Sequence, residues 1–347
     1  MKKIIYAAVI GLSLTTIISC QKKKVEAATP TYQDPSKADD ASARNEMDKA
    51  YSDVETVYNS QDYASASGMR TSGAILPCGS VTIDTTHFKI NYNGVNCGTR
   101  VLGGSIDVTL ISGTKFSDPN AVLRVIFQNY KVLYQTNNQS ITYNGTSYIT
   151  NGPNGGSLIS LFTSTSALTV EHKERGQLDL TFDSTGTGTA NVTREWNVFR
   201  KRTYTTTGTS ATGISLSIAG DTSIASDTYI PGTYPKASEY GISRDGDKFV
   251  CNMPTDFLWA NCGTTVAGPY TLKQGEVDYT VDLTNNAAAK LIGITKGTWN
   301  ATAGYKYDAT NKYAFDGSCG SDGYKIDFAL QNASNVNVYT STVFQEY

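Results

Sequence analysis

SITYNGTSYIT, residues 140–150, sets the fold class. Residues 140–143 and 148–150 alternate apolar with polar side chains, and Asn144-Gly145 between them is a strong hairpin signal. The same grammar runs outward on both sides. Toward the N-terminus, residues 81–84 and 88–92 read as strands ahead of a turn at Asn93-Gly94. Residues 106–110 and 122–130 flank a second turn at Asp118-Pro119-Asn120. Toward the C-terminus, 168–172, 177–182, 191–199 and 202–206 continue a meander separated by glycine turns. Further strands are predicted at 214–218, 249–250, 256–259, 275–283, 291–295, 313–315, 324–330 and 336–343. Period-two alternation gives each strand one buried and one wet face. Short strands at this spacing predict a mainly β chain of antiparallel, sandwich-like architecture, and no fixed repeat supports a propeller or solenoid.

Composition agrees. Thr, Ser, Gly, Asn and Tyr dominate the 347 residues, with 22 tyrosines, which suits half-wet pleated surfaces punctuated by turns. Charged residues are 17 % and the net charge is -2 without a basic face, so nucleic acid is not an expected partner.

The N-terminus carries the clearest address. Lys2 and Lys3 precede an apolar run, residues 4–18, too short to span a bilayer as a finished helix. Ile17-Ile18-Ser19-Cys20 resembles the bacterial lipobox. That resemblance implies removal of residues 1–19 and acylation of Cys20, with the mature chain held to a lipid leaflet by more than one acyl chain. Gln21 fits delivery to the outer membrane. Lys22-Lys23-Lys24, where surface-exposed lipoproteins carry acids, leans toward its periplasmic face. Residues 20–40, with Pro30 and Pro35, read as a flexible tether. Residues 41–60 form the one expected helix, with Met47, Ala50, Tyr51, Val54, Val57 and Tyr58 on one stripe and Asp39, Asp40 and Ser42 as N-cap candidates. Two β domains are expected, 74–206 and 229–347, joined by the Thr/Ser/Gly-rich residues 207–228.

With Cys20 acylated, five thiols remain in an oxidising compartment, where disulfides are the default. Cys78 and Cys97 flank one hairpin-like segment and are the simplest pair, closing a loop whose constraint is worth about 3 kcal/mol. Among Cys251, Cys262 and Cys319 one is odd, and Cys262–Cys319 with Cys251 left over is favoured. No Cys-x-x-Cys or Cys-x-x-His spacing suggests zinc, and no cofactor is expected.

Two blocks are similar to a group of uncharacterised Bacteroidetes lipoproteins. The first is Cys78-Gly-Ser-Val-Thr-Ile-Asp-Thr-Thr86 with Ile90-Asn-Tyr-Asn-Gly94, Cys97, Gly103-Gly-Ser-Ile106 and Phe127-Gln-Asn-Tyr130. The second is Cys262-Gly263, Val266-Ala-Gly268 and Asp316-Gly-Ser-Cys319. The resemblance covers about half the chain and implies a β architecture, an envelope location and the pairings Cys78–Cys97 and Cys262–Cys319. It carries no activity with it.

Catalytic constellations are sparse. His87 at a strand start and His172 in the charged run Glu171-His-Lys-Glu-Arg175 both read as exposed or edge residues, and no Gly-x-Ser-x-Gly elbow occurs. Asp256, Glu276, Asp278 and Asp282 are the carboxylates available for glycosidic cleavage, though Asp278 and Asp282 read as one strand's wet face. Arg244-Asp-Gly-Asp247 and residues 316–323 place oxygen ligands in Gly-rich turns, a calcium-like arrangement that is also ordinary hairpin chemistry. Asp84-Thr85-Thr86 and Asp183-Ser184-Thr185 resemble Bacteroidetes O-glycosylation sites. Trp196, Trp259 and Trp299 are expected in core or cross-strand packing, with a sugar-stacking platform as the functional alternative. The reading is a lipid-anchored, non-enzymatic binding or structural module whose partner is a glycan or an envelope protein. A glycan-active hydrolase is the alternative.

Overall fold

A computed structural model describes residues 35–58, 70–72, 76–84, 86–183, 186, 191–208, 213–221, 237–243, 245–262, 270–308, 312–319, 321 and 323–346. Helix α1 (Pro35–Tyr58) leads into strands β1 (Arg70–Ser72), β2 (Ser80–Ile83), β3 (His87–Asn91), β4 (Val95–Cys97), β5 (Arg100–Ser112), β6 (Val122–Tyr134) and β7 (Ser140–Asn151). After the short helix α2 (Leu158–Thr163) come β8 (Leu168–Asp183), β9 (Asn191–Thr206), β10 (Ser215–Gly220), β11 (Ala237–Ile242), β12 (Lys248–Asn261) and β13 (Tyr270–Asp282). Helix α3 (Ala287–Leu291) precedes β14 (Ile294–Asp308), β15 (Lys312–Phe315), β16 (Gly323–Asn332) and β17 (Asn337–Glu346).

The described strands form one hydrogen-bonded antiparallel sheet, so the chain is mainly β as its alternation predicts. Pairing proceeds β1-β2-β3-β5-β6-β7-β8-β9, and β9 then bonds to both β10 and β11. Both of these bond to β12, and the meander continues through β13, β14, β16 and β17. Strand β10 lies inside the stretch expected to separate two domains. Pairing there is continuous, because β10 bonds to β9 on one edge and β12 on the other.

Helix α1 covers one face of this sheet. It begins at Pro35, earlier than the expected residue 41, so Asp39, Asp40 and Ser42 sit within it rather than capping it. Proline suits a first helical position, where its fixed φ is helical and its missing N–H is not needed. The expected tether is thereby shortened, and residues 20–34, Cys20 among them, lie outside the described residues. The predicted apolar stripe is buried throughout: Ala43, Ala50, Tyr51, Val54 and Val57 are sealed from water. Their partners are the inward residues of the strands, including Phe88, Ile90, Ile106, Val108, Val125, Phe127 and Leu178, in a cluster that also takes in Phe249, Val281, Trp299 and Ile326.

Tyrosine hydroxyls fix where the helix sits. Tyr51 donates to Ser147 Oγ at 2.6 Å, Tyr143 donates to the Ala43 carbonyl at 2.8 Å and Tyr92 donates to Asp53 Oδ2 at 2.6 Å. Each buried hydroxyl therefore has a partner, without which it would cost about 1–3 kcal/mol.

Three predicted turns are absent. Asn144-Gly145 lies inside the unbroken β7, which pairs with β8 from end to end. Asn144 Oδ1 accepts from the Asn129 N–H at 2.8 Å, and Asn129 has a left-handed φ of +50° in the bulge between Phe127 and Tyr130 of β6. The asparagine thus satisfies a bulge on its neighbour instead of starting a turn. Gly145, at φ +129°, leaves space that the Gln177 carbonyl occupies: a Cβ would stand 2.5 Å from that oxygen. Gly176 likewise lies mid-strand, and a Cβ there would meet Ser147 at 3.1 Å and the Tyr51 hydroxyl at 3.5 Å. Residues 199–202 continue β9 without interruption. These glycines and asparagine serve close approach between packed elements.

An aromatic ladder crosses the second half of the sheet on the core face. Trp196, Phe249, Tyr279, Trp299, Phe328 and Tyr339, from β9, β12, β13, β14, β16 and β17, make successive ring contacts with centroids 5.1–6.0 Å apart. Trp196 and Trp299 are core residues, as expected, and Trp259 packs against Phe257 at 5.8 Å.

Candidate ligand groove and the charge cluster behind it

Strand β8 organises both faces of the candidate site. Its residues alternate from 169 to 182, so Glu171, Lys173, Arg175, Gln177 and Asp179 face out while His172, Glu174 and Leu178 face the helix.

On the outer face, β7, β8, β9 and β11 frame an open groove of about 640 Å³. Register sets its rows. Thr146, Gln177, Asn197 and Tyr240 are successive cross-strand partners, as are Tyr148, Arg175 and Phe199. Phe199 and Tyr240 stack, with centroids 5.5 Å apart and planes 12° from parallel. Asp179 and Glu195 stand directly opposite each other. Glu195 accepts from Asn197 Nδ2 at 2.8 Å and Gln177 Nε2 at 3.5 Å, and Arg175 donates to Asp221 at 3.2 Å. Opposed like charges weaken a sheet, and this pair lies beside an aromatic stack and a row of amides. The groove therefore offers carboxylate acceptors and amide and guanidinium donors beside the half-buried Phe199 ring, which is backed by the buried Tyr240, a mixture that suits a hydroxyl-rich ligand.

On the inner face, behind the groove, lies a buried cluster of charge. His172 and Arg202 are cross-strand partners, as are Glu174 and Arg200. Helix α1 supplies counter-charges at Asp48 and Glu55, and a cation at Arg44. Arg200 donates to Asp48 at 2.6 Å and to Glu239 of β11, and Arg44 donates to both oxygens of Glu239 at 2.8 and 3.0 Å. Arg202 donates to Asp48 at 2.9 Å and pairs with Glu174. Glu55 bonds to His172 Nδ1 at 2.9 Å and accepts from Tyr204 Oη at 3.0 Å.

Three guanidinium groups and the His172 imidazole thus face four carboxyls. Burial raises the Glu174 carboxyl to about 7, against the pull of Arg202 and Arg200. Burial also pushes Glu239 upward, but Arg200 and Arg44 outweigh it and hold the group at about 2. Glu55 faces the same penalty, and His172 and Arg202 reverse it, leaving that carboxyl below its ordinary value.

His172 corrects the sequence reading. Its charged run is a strand rather than a turn, and alternation sends His172 and Glu174 inward, where His172 is 1 % exposed. His87 does lie at a strand start, partly exposed and 3.0 Å from Asp107.

The remaining candidates fall elsewhere. Cys78–Cys97 and Cys262–Cys319 are disulfides with Cα separations of 6.1 and 5.4 Å, and Cys251 is the free thiol. Cys251 is buried beside Arg44 and Ser238, and burial pushes its thiol to about 11, which removes its nucleophilic form. Glu276 and Asp278 share the Asn300 side-chain amide at 2.5 and 2.7 Å on the wet face of β13. Asp256 accepts from Ser217 at 3.2 Å, and Asp282 accepts from the Thr284 N–H at 2.9 Å. None of these four faces the groove lined by Asp179 and Glu195. Asp247 accepts from Asn286 at 2.9 Å next to the Gly246 turn, and Asp316 accepts from Ser318. Arg244, Thr85, Ser184, Thr185 and Asp322 lie outside the described residues. Among the described residues no three His, Cys, Asp or Glu side chains converge as a metal site.

Sequence reasoning missed the groove, because Gln177, Asp179, Glu195 and Asn197 look like any strand's wet positions until register sets them side by side. A scan of protein-family models matches none of them to this chain, and searches of curated proteins and of solved structures return no significant match.

Proposed function

We propose that the protein is a lipid-anchored envelope protein that binds a glycan-type ligand, without transforming it, along the outer groove of β7, β8, β9 and β11. The observation that carries this reading is the stacked Phe199–Tyr240 pair bordered by Arg175, Gln177, Asp179, Glu195 and Asn197. The half-buried Phe199 ring, held against the buried Tyr240, gives a sugar ring's apolar face something to pack on, and the amides and carboxylates meet its hydroxyls. The groove is long and open, which suits a chain rather than an enclosed small molecule. Binding of the full chain to an array of immobilised oligosaccharides tests this. Retention of a defined subset, lost in Phe199→Ser and in Asp179→Ala, is the expected result. Retention indifferent to both changes, or no retention at all, rejects the groove.

A second reading, a glycan-active hydrolase, draws on the directly opposed Asp179 and Glu195. Retaining glycosidases place two carboxyls about 5–5.5 Å apart, and direct cross-strand opposition puts Asp179 and Glu195 on one face within side-chain reach of such an arrangement. Release of reducing ends from a bound oligosaccharide, abolished by Asp179→Asn or Glu195→Gln, would establish that reading over binding alone.

A further inference from the structure

Large apolar side chains are exposed at one corner of the sheet. Leu291, the last residue of α3, and Ile292 after it are 88 % and 68 % exposed, and Val336 just before β17 and Val338 near its start are 56 % and 52 % exposed. The two groups are neighbours: Ile294 is the cross-strand partner of Asn332, whose N–H donates to the Val336 carbonyl at 3.1 Å. Soluble surfaces seldom gather such residues without a partner.

The course of α1 shows which way this corner faces. Arg44 meets Glu239, itself paired with Val198 of β9, then Asp48 meets Arg200 and Arg202, and Glu55 meets Tyr204. The helix therefore runs alongside β9 in the same direction, with its N-terminus toward the strand's beginning. Antiparallel pairing brings the β11–β12, β13–β14 and β16–β17 turns to that same end: Gly241 pairs with Trp196 and with Phe249, and Phe249 pairs with Val281. The apolar corner and the start of α1 thus share one end of the sheet. Fifteen residues lead from Cys20 to Pro35, a span of at most about 50 Å when fully extended.

We propose that the corner formed by Leu291, Ile292, Val336 and Val338 dips into the surface of the lipid bilayer that holds the acylated Cys20. This rests on the lipid-anchor reading of Cys20. Nearby charges are of both signs, with Lys290 and Lys296 against Asp245, Asp247 and Asp282, so apolar burial rather than headgroup charge drives the contact. A bilayer is the occupant that the chain itself brings within reach. The corner then acts as a second foothold beside the acyl chains and fixes the orientation of the sheet on the membrane.

Leu291→Trp in the full chain, added to phosphatidylcholine vesicles with and without brominated acyl chains, tests the proposal. A blue shift and loss of the added tryptophan's emission in brominated vesicles is expected, with little dependence on salt, and Ile292→Asp in the same background should abolish both. Water-like, unquenched emission overturns the proposal. A blue shift that needs no vesicles and grows with protein concentration also overturns it, assigning the corner to a second copy. The mass of the chain reads acylation separately, so a missing anchor and a failed corner give different results.

Discussion

At the scale of single residues, Glu174 is the position with the clearest solution behaviour. Its carboxyl holds a proton more tightly folded, at about 7, than its ordinary value of 4.5. An acid raised in this way stabilises the fold at low pH, and that stability is lost as pH rises from about 4.5 through about 7. Asp53, lifted by burial to about 6, acts in the same direction, while Glu239, held at about 2, costs stability only as pH falls below its ordinary range. Thermal melts should therefore show the midpoint falling on the neutral side, with a shallower fall in Glu174→Gln. An unchanged slope in that variant would remove Glu174 as the titrating group. Asp48 should be less forgiving. It faces both Arg200 and Arg202, so Asp48→Ala breaks two buried ion pairs at once and should cost about 3–5 kcal/mol in a urea titration. His172 illustrates what sequence conceals here. A run of five charged or ionisable residues looks like a solvated turn, and only Glu55, 117 positions earlier, explains why it is a buried strand.

At the scale of elements, strands were legible wherever apolar and polar residues alternate, as in β5 and β6, and helix α1 was legible from its stripe. Breaks were not. Gly145 and Gly176 carry the composition of turns, yet their role is to admit the Gln177 carbonyl and the Tyr51 hydroxyl. Gly145→Val should thus destabilise the chain by about 1–3 kcal/mol through backbone strain and crowding, measurable by denaturant unfolding, whereas a hairpin glycine in open space such as Gly94 has no neighbour within 4 Å to disturb. Tyr51→Phe removes the hydroxyl that reaches Ser147 and should cost about 1 kcal/mol. A smaller loss would show that another group satisfies Ser147, which also donates to the Arg175 carbonyl at 3.0 Å. The groove follows the same lesson, since cross-strand register alone turns four unremarkable wet positions into one surface.

For the whole molecule, the decisive observation is that β9, β10 and β12 bond continuously across the stretch where composition suggests a boundary. One apolar cluster also takes residues from both expected halves, from Phe88 and Ile106 to Trp299 and Leu330. Scanning calorimetry should accordingly show a single cooperative transition, and two separated transitions would support the expected two-domain division. Reduction of Cys262–Cys319, which closes the longer loop with a separation of 57 residues, should lower that transition without splitting it, by an amount on the order of 4 kcal/mol in the chain-entropy model.

The contact between Arg44 and Glu239 spans 195 positions, and it has a consequence in time. Ribosomes deliver α1 first, but the guanidinium and carboxyl groups that seat it, at Arg200, Arg202 and Glu239, are made much later. Until they arrive the helix has no finished surface to lie on, and its apolar stripe must wait. Non-local pairing of this kind delays folding. The proposed lipid anchoring requires export, and this delay suits that proposal, since a chain that folds late crosses a membrane unfolded.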